Sequence, residues 1–232
     1  MKIAIMQPYL FPYLGYFQLI AAVDKFVILD DVNFINKGWI NRNKIMINGK
    51  SSMFTLPLEQ ASQNKLIKDI KVAKDKRWTD KFLKSIHMAY KKAPHFEAVY
   101  SLVKKCMERE EKAISDLIYV GILDICEYMG IQTGIEPHSS VYLTEGLLGQ
   151  DKILEICVQS GASHYINTMG GQGLYDKDKF KEKNIRISFI SPVLNPYNQN
   201  CPDFVEGLSI IDVLMYNSKE QVKLQLENFK LL

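Results

Sequence analysis

The chain has 232 residues, 47% of them hydrophobic and 24% charged, which excludes the low-hydrophobicity, high-charge composition of disordered proteins. Its 29 Lys and Arg against 26 Asp and Glu give a formal charge of only +3. Without a clustered basic patch, so small an excess indicates neither a nucleic-acid nor a membrane partner.

The cysteines and the N-terminal residues indicate the cellular compartment of the protein and whether it binds a metal. The four cysteines form no Cys-x-x-Cys pair, and the four scattered histidines show no zinc-ligand spacing. We therefore expect buried, reduced thiols and no metal site. No signal-peptide pattern precedes the first apolar segment, and no apolar run has the length of a membrane span. The sequence predicts a cytoplasmic protein.

The N-terminal part begins with a strand over residues 3–6 and a loop over residues 7–14, where two prolines prevent a regular helix. A helix is predicted from Gly15 to about Asp24, followed by a second strand over residues 26–29. A β-loop-α-β unit of this kind usually builds a parallel sheet with a right-handed crossover.

A β-hairpin comes next. Residues 40–47 and 51–56 alternate in polarity around Asn48-Gly49, a pair suited to the positive φ angles of a tight turn. Three stretches with apolar residues at helical spacing follow, at residues 78–91, 96–110 and 112–129. They predict a helical insert over about residues 76–130, within a single domain of residues 1–232.

Helices and strands alternate again in the C-terminal part. The pattern predicts a helix at 151–159, a strand at 164–167, a glycine-rich turn at 169–173, a helix at about 177–183, a strand at 185–190, and helices at 209–216 and 219–231. The fold class expected from this order is α/β, with a Rossmann-like, mainly parallel sheet that carries the hairpin and the helical insert.

The loop after the first strand is the first candidate site, because ligands of open α/β sheets bind at the carboxyl ends of the strands. Gln7 offers a donor and an acceptor, and Tyr9 and Tyr13 offer flat surfaces for a polar ring. The aromatic residues could instead pack the junction between strand and helix.

Paired carboxylates follow the second strand. Asp30 and Asp31 could hold sugar hydroxyls, bind a magnesium ion, or act in base catalysis with a raised pKa. Alternatively, one of them caps the following turn and the other is solvated.

The next polar run contains Lys37, Trp39, Asn41, Arg42 and Asn43. If residues 41–43 are in a strand, Asn41 and Asn43 share one face and form a comb of amides, with Arg42 on the other face. Arg42 could clamp a phosphate or carboxylate, or brace Asp30 or Asp31.

A glycine-rich segment, Thr168 to Gly173, lies between a predicted strand and a predicted helix. The backbone amides around Gly170 and Gly171 could cradle an anion at the helix N-terminus, although a plain tight turn explains the same residues. The segment matches neither the dinucleotide fingerprint nor the Walker pattern.

Several of these fragments occur in an order and spacing that closely resemble the WbqC-like family. They are Gln7-Pro8-Tyr9 with Pro12 and Gly15-Tyr16-Phe17, Asp30-Asp31-Val32, Trp39-Ile40-Asn41-Arg42-Asn43, Tyr165 with Gly170-Gly171 and Tyr175, and Ser209-Ile210-Ile211-Asp212. The resemblance covers nearly the whole chain. It implies a link to O-antigen and related surface-polysaccharide gene sets.

From this resemblance we expect an enzyme that transfers an acyl or aminoacyl group to an amino sugar or its nucleotide conjugate. Asp30 or Asp31 would accept a proton, Gln7, Asn41 and Asn43 would hold oxygen atoms, and Arg42 would hold a phosphate or carboxylate. Lys37, Trp39 and Tyr175 complete the predicted binding residues. The partner is a small-molecule sugar or nucleotide sugar; the sequence specifies neither a cofactor nor an oligomeric state.

Two alternatives remain. The strand-loop-helix start is laid out like the His-x-Gly-His region of nucleotidyltransferases, and this layout suggests an ATP-dependent adenylate-forming enzyme. Both histidines of that region are absent here, which counts against adenylyl transfer. The other alternative is a non-catalytic partner that binds a sugar nucleotide within an assembly complex.

Overall fold

The computed structural model describes all residues from 1 to 232. Its strands are Lys2–Met6 (β1), Lys25–Ile28 (β2), Arg42–Ile47 (β3), Lys50–Thr55 (β4), Leu58–Glu59 (β5), Lys71–Val72 (β6), Gly134–Glu136 (β7), His164–Thr168 (β8), Arg186–Pro192 (β9) and Phe229–Leu231 (β10). Its α-helices are Leu14–Ala21 (α1), Lys76–Tyr90 (α2), Phe96–Met107 (α3), Ile114–Met129 (α4), Gly149–Gln159 (α5), Lys177–Glu182 (α6), Ile210–Tyr216 (α7) and Lys219–Leu226 (α8). Short 3₁₀ turns occupy Ile67–Asp69, Ser139–Val141 and Met169–Leu174.

The central element is a six-stranded sheet in the order β10-β9-β8-β1-β2-β7. All neighbouring pairs are parallel except β10 with β9. Met6 of β1 lies opposite Ile28 of β2, and Ile3 lies opposite Tyr165 of β8, so these strands end along the same edge. The expected mixed α/β class with a mainly parallel sheet is confirmed.

Alternating strand residues serve two cores, one on each face of the sheet. Ala4, Phe26 and Ile28 belong to a cluster of 45 buried residues that also contains side chains of α1–α4, α7 and α8. Ile5 and Val27 belong to a cluster of 12 that contains side chains of α5 and α6. Helices therefore cover both faces.

The chain leaves β1 and β8 in opposite directions. β1 leads through α1 to β2 on one side, whereas β8 leads through α6 to β9 on the other. Right-handed crossovers that run in opposite directions place their helices on opposite faces, as the two cores show for α1 and α6. The carboxyl ends of β1 and β8 therefore border a crevice that no crossover covers.

The hairpin forms as predicted, with β3 and β4 antiparallel and Asn48 and Gly49 at positive φ in the turn. Its first strand begins at Arg42 rather than at residue 40. Three helices, α2, α3 and α4, follow it. None of the helices in the chain has the length and apolar character that a membrane crossing requires.

The prediction for the C-terminus was wrong in part. The helix predicted at 219–231 ends at Leu226, and Phe229–Leu231 pairs with β9 instead. Backbone bonds between Leu232 and Phe189 extend this pairing, so contact with the sheet overrides the local helical pattern. β5, β6 and β7 were not predicted, because two or three residues show no periodicity.

A buried carboxylate joins the hairpin to the helices. Asp212, in the first turn of α7, accepts hydrogen bonds of 2.7 Å from the hydroxyls of Tyr90 and Tyr197. The Tyr90 hydroxyl also accepts the backbone N–H of Met46 in β3, at 3.0 Å. No basic side chain pairs with Asp212, and burial raises the pKa of this carboxyl above its ordinary value of 3.8.

The free energy of unfolding should depend on pH through Asp212. The Asp212 carboxyl binds its proton more tightly in the folded than in the unfolded protein. Its contribution to the free energy of unfolding is therefore fully present below the pKa of the unfolded state and is lost as the pH rises through the higher pKa of the folded state. In urea denaturation from about pH 4 to about pH 7, wild type should lose stability relative to Asp212→Asn. Asp203→Asn, at an exposed carboxylate, is the control. A pH-independent difference between wild type and Asp212→Asn would contradict this account.

Candidate functional site

A cavity of about 380 Å³ opens at the carboxyl ends of β1 and β8. Gln7, Tyr9 and Tyr13 reach it from the loop after β1, Trp39 from the segment before β3, and Thr168 from the end of β8. The location is the crevice that the opposite crossovers leave open. We call this space the aromatic cavity; its lining contains no charged side chain.

Polar atoms on the cavity wall are available to a ligand. The amide of Gln7 and the hydroxyls of Tyr9 and Tyr13 make no hydrogen bond within the protein. Burial raises the pKa of both tyrosines, so their hydroxyls remain protonated donors at neutral pH. Flat rings with a few polar groups suit the binding of a sugar or base.

The loop that carries these residues is fixed from several sides. Tyr16 donates to the carbonyl of Gln7 at 3.0 Å, and the backbone N–H of Leu10 donates to Ile40 at 2.9 Å. Phe11 has a φ of 45° and its carbonyl accepts the Ser209 hydroxyl at 2.8 Å. The aromatic residues thus divide: Phe11 is buried in the core, while Tyr9 and Tyr13 line the cavity.

The predicted comb of amides is corrected. Asn43 is fully buried, and its amide donates to the carbonyls of Leu10 and Phe11. Asn41 precedes β3, and its amide donates to the carbonyl of Leu56 at 2.7 Å. The Asn43 amide thus holds the cavity loop rather than a ligand, whereas the half-exposed Asn41 holds the hairpin through one N–H and its Oδ1 makes no hydrogen bond.

Arg42 does not brace either carboxylate. Its Nε donates to the carbonyl of Gly38 at 2.8 Å, and a second N–H donates to the carbonyl of Lys37. Its guanidinium carbon lies 5.8 Å from the centre of the Trp39 ring. Lys37 is exposed at a positive φ of 58°. Arg42 therefore shapes the segment that places Trp39 on the cavity wall.

The carboxylates form a second cluster at the same edge, with partners that the sequence did not suggest. Asp30 is fully buried, and its Oδ2 lies 2.7 Å from Nδ1 of His138. Asp31 Oδ2 accepts from Lys152 Nζ at 2.6 Å. The Ser139 hydroxyl lies against both carboxylates and accepts the backbone N–H groups of Asp30 and Asp31.

His138 is held in an orientation suited to proton transfer. The buried carboxylate of Asp30 accepts from Nδ1, which leaves Nε2 as the nitrogen that exchanges a proton. Nε2 is 3.5 Å from Asp116, beyond an ordinary hydrogen bond, and 37% of the side chain is exposed. The His138 side chain is therefore partly open to solvent, with the Asp116 carboxylate beside Nε2.

The glycine-rich segment is a tight turn rather than an anion cradle. Residues 169–174 form a 3₁₀ turn, and α6 begins only at Lys177. A Cβ at Gly171 would lie 2.9 Å from the amide nitrogen of Asn167, which itself donates to the hydroxyls of Tyr165 and Tyr175. Gly171 and Tyr175 thus have a packing role here, whereas a Cβ at Gly170 would meet open space.

The cavity and the carboxylate cluster lie along one edge of the sheet. The cavity borders β1, and His138 follows β7, with β2 between them in the sheet. Two steps between neighbouring strands span about 10 Å. A ligand that contacts both places would have to extend over this distance.

Comparison with known proteins relates the chain to a protein family and to a relative of similar length. The model of the WbqC-like protein family matches residues 7–224. The uncharacterized protein Rv1507c of Mycobacterium tuberculosis is 27% identical over 217 residues, which cover 92% of each chain. No solved structure matches.

The ion pair between Lys152 and Asp31 should be essential for stability, because only 8% and 12% of the two side chains are exposed. Lys152→Met leaves a buried carboxylate unpaired and should lower the free energy of unfolding by about 3 kcal/mol. Adding Asp31→Asn should restore much of this loss. Chemical denaturation measures both variants.

The control is Lys179→Met, which removes an exposed pair with Asp151 and should cost no more than about 1 kcal/mol. If Lys152→Met is no more destabilising than Lys179→Met, the ion pair does not hold the cluster together.

Proposed function

Because the chain belongs to the WbqC-like protein family, we propose that it is an enzyme that transfers an acyl or aminoacyl group to the amine of a sugar. The acceptor is an amino sugar, free or as its nucleotide conjugate, used in bacterial surface-polysaccharide biosynthesis. The proposal includes a Rossmann-like sheet as the binding platform, action in the cytoplasm and a small-molecule partner.

One observation carries this proposal: a histidine positioned by a buried carboxylate shares a sheet edge with an aromatic cavity. His138 and Asp30 are 2.7 Å apart. An imidazole oriented in this way is the commonest general base in proteins, and its contribution is typically about 10²- to 10⁴-fold.

The cavity accounts for recognition of the sugar. The rings of Tyr9 and Trp39 lie 6.0 Å apart and offer flat faces to the ring of a sugar or base. Gln7 and the two tyrosine hydroxyls offer donors and acceptors for sugar hydroxyls. The absence of charge from the lining favours a neutral ring over an ion at this point.

In the reaction, His138 Nε2 takes a proton from the attacking amine. The amine nitrogen forms a bond to the carbonyl carbon of the activated donor, the bond from that carbon to the leaving group breaks, and His138 returns the proton to the leaving group. Asp30 holds Nδ1 and stabilises the transient imidazolium. Asp30 is thus a positioning residue, because its buried carboxylate cannot reach a ligand itself.

The charges of Asp31 and Lys152 neutralise each other in a largely buried ion pair. Their pairing keeps Asp31 away from the imidazole, which faces Asp30 at Nδ1 and Asp116, 3.5 Å away, at Nε2. We assign neither Asp31 nor Lys152 a direct chemical step.

Substitution of His138 should remove transfer without unfolding the protein, because this side chain is partly exposed. Incubation with nucleotide-linked amino sugars, acyl-coenzyme A donors, amino acids and ATP, read by mass spectrometry, should show an acylated or aminoacylated sugar. His138→Gln should slow its formation about 10²-fold or more, and Asp30→Asn should also slow it through loss of the imidazole orientation.

The exposed His87 supplies the control His87→Gln, which should leave the rate unchanged. Transfer that persists in His138→Gln would reject the assigned base. Pyrophosphate release from ATP would instead favour an adenylate-forming enzyme, and ligand binding without any turnover would favour a non-catalytic sugar-nucleotide partner.

A further inference from the structure

Two basic side chains lie over the ring of Trp39, which lines the aromatic cavity, and Lys37 precedes Trp39 by two residues. Arg42 and Lys44 occupy alternate positions of β3, so their side chains share one face. The guanidinium carbon of Arg42 lies 5.8 Å, and Nζ of Lys44 5.6 Å, from the centre of the Trp39 ring. Lys37 is tied to them because its carbonyl accepts from Arg42. We call Lys37, Arg42 and Lys44 the cationic rim.

The positive charge of the rim is not neutralised within the protein. None of its members forms an ion pair, and the Lys44 ammonium makes no hydrogen bond. Arg42 uses two N–H groups on the carbonyls of Lys37 and Gly38, and three of the five donors of a guanidinium remain. The carboxylates at the same sheet edge, Asp30 and Asp31, are already paired with His138 and Lys152.

Trp39 connects this charge to the cavity. It contacts the rim through cation-π interactions, lines the cavity, and is 47% exposed. A group that leaves the uncharged cavity beside Trp39 therefore meets a guanidinium and an ammonium. A phosphate carries about two negative charges at neutral pH and several acceptor oxygens, which suit the fork of Arg and the point charge of Lys.

We infer that the ligand of the aromatic cavity carries a phosphate or diphosphate group, and that this group binds the cationic rim while the attached ring enters the cavity. The inference rests on the proposed function and deepens it, since it selects a phosphate-bearing sugar over a free one.

The two tryptophans of the chain permit a direct test. Trp78 stacks on Phe82, and Trp78→Phe keeps a stacked ring while leaving Trp39 as the single indole fluorophore. In this background, UDP and glucosamine 1-phosphate should each change the Trp39 fluorescence saturably, and high salt should weaken their binding. Free glucosamine should bind with no such salt dependence.

Lys44→Met should weaken binding of both phosphate compounds about tenfold, and it should leave any binding of glucosamine unchanged. The matched control is Lys50→Met, which removes an exposed ammonium at the other end of the same hairpin. The Lys44 ammonium makes no hydrogen bond or ion pair and loses only its cation-π contact with Trp39, so Lys44→Met should have an unfolding transition close to that of Lys50→Met. Arg42→Lys, which keeps the charge but loses the fork, should weaken binding as well.

Equal affinities for UDP and for glucosamine 1-phosphate in Lys44→Met and Lys50→Met would overturn the inference, as would failure of both compounds to bind. Binding of UDP alone would identify a nucleotide as the source of the phosphate. These outcomes are separate from those of the proposed function: rim-dependent binding without transfer rejects the reaction only, and His138-dependent transfer without rim-dependent binding rejects the rim only.

Discussion

Right-handed connection of parallel strands is the constraint on which the rest of the molecule depends. Because β1 and β8 are neighbours whose chains continue in opposite directions, α1 and α6 must lie on opposite faces of the sheet. The gap between them sets the position of the cavity before any side chain is specified. The loop after β1, the end of β8 and the segment before β3 then supply its wall.

The buried carboxylates of the sheet edge and of α7 have different kinds of partner. Asp30 and Asp31 have an imidazole, an ammonium and a shared hydroxyl as partners, so ionised groups are kept at the edge of the sheet. Asp212 has only hydroxyl partners and a raised pKa, as expected for a carboxylate that fixes helices and a hairpin together. Compensated carboxylates therefore lie at the edge of the sheet, and a carboxylate without a cationic partner joins the hairpin to the helices.

Features carried by local pattern were accessible from the sequence, including β1, the hairpin and the aromatic loop. Gln7, Tyr9, Tyr13 and Trp39 do meet at one cavity. His138 and Lys152 were missed because they pair with Asp30 and Asp31 across 108 and 121 residues, and because the strand before His138 has only three residues. The sequence predicts ligand roles for Asn43 and Gly171, because it does not show that the main chain uses the Asn43 amide or that a side chain at position 171 would meet Asn167.

The outermost strands bear on how copies of the protein associate. β7 and β10 have three residues each, and β7 carries Glu136, which pairs with Lys25 on the neighbouring strand. Short, charged edges offer little template for a strand from a second molecule, which is how natural sheets avoid edge-to-edge aggregation. Continuation of the sheet from copy to copy is therefore disfavoured.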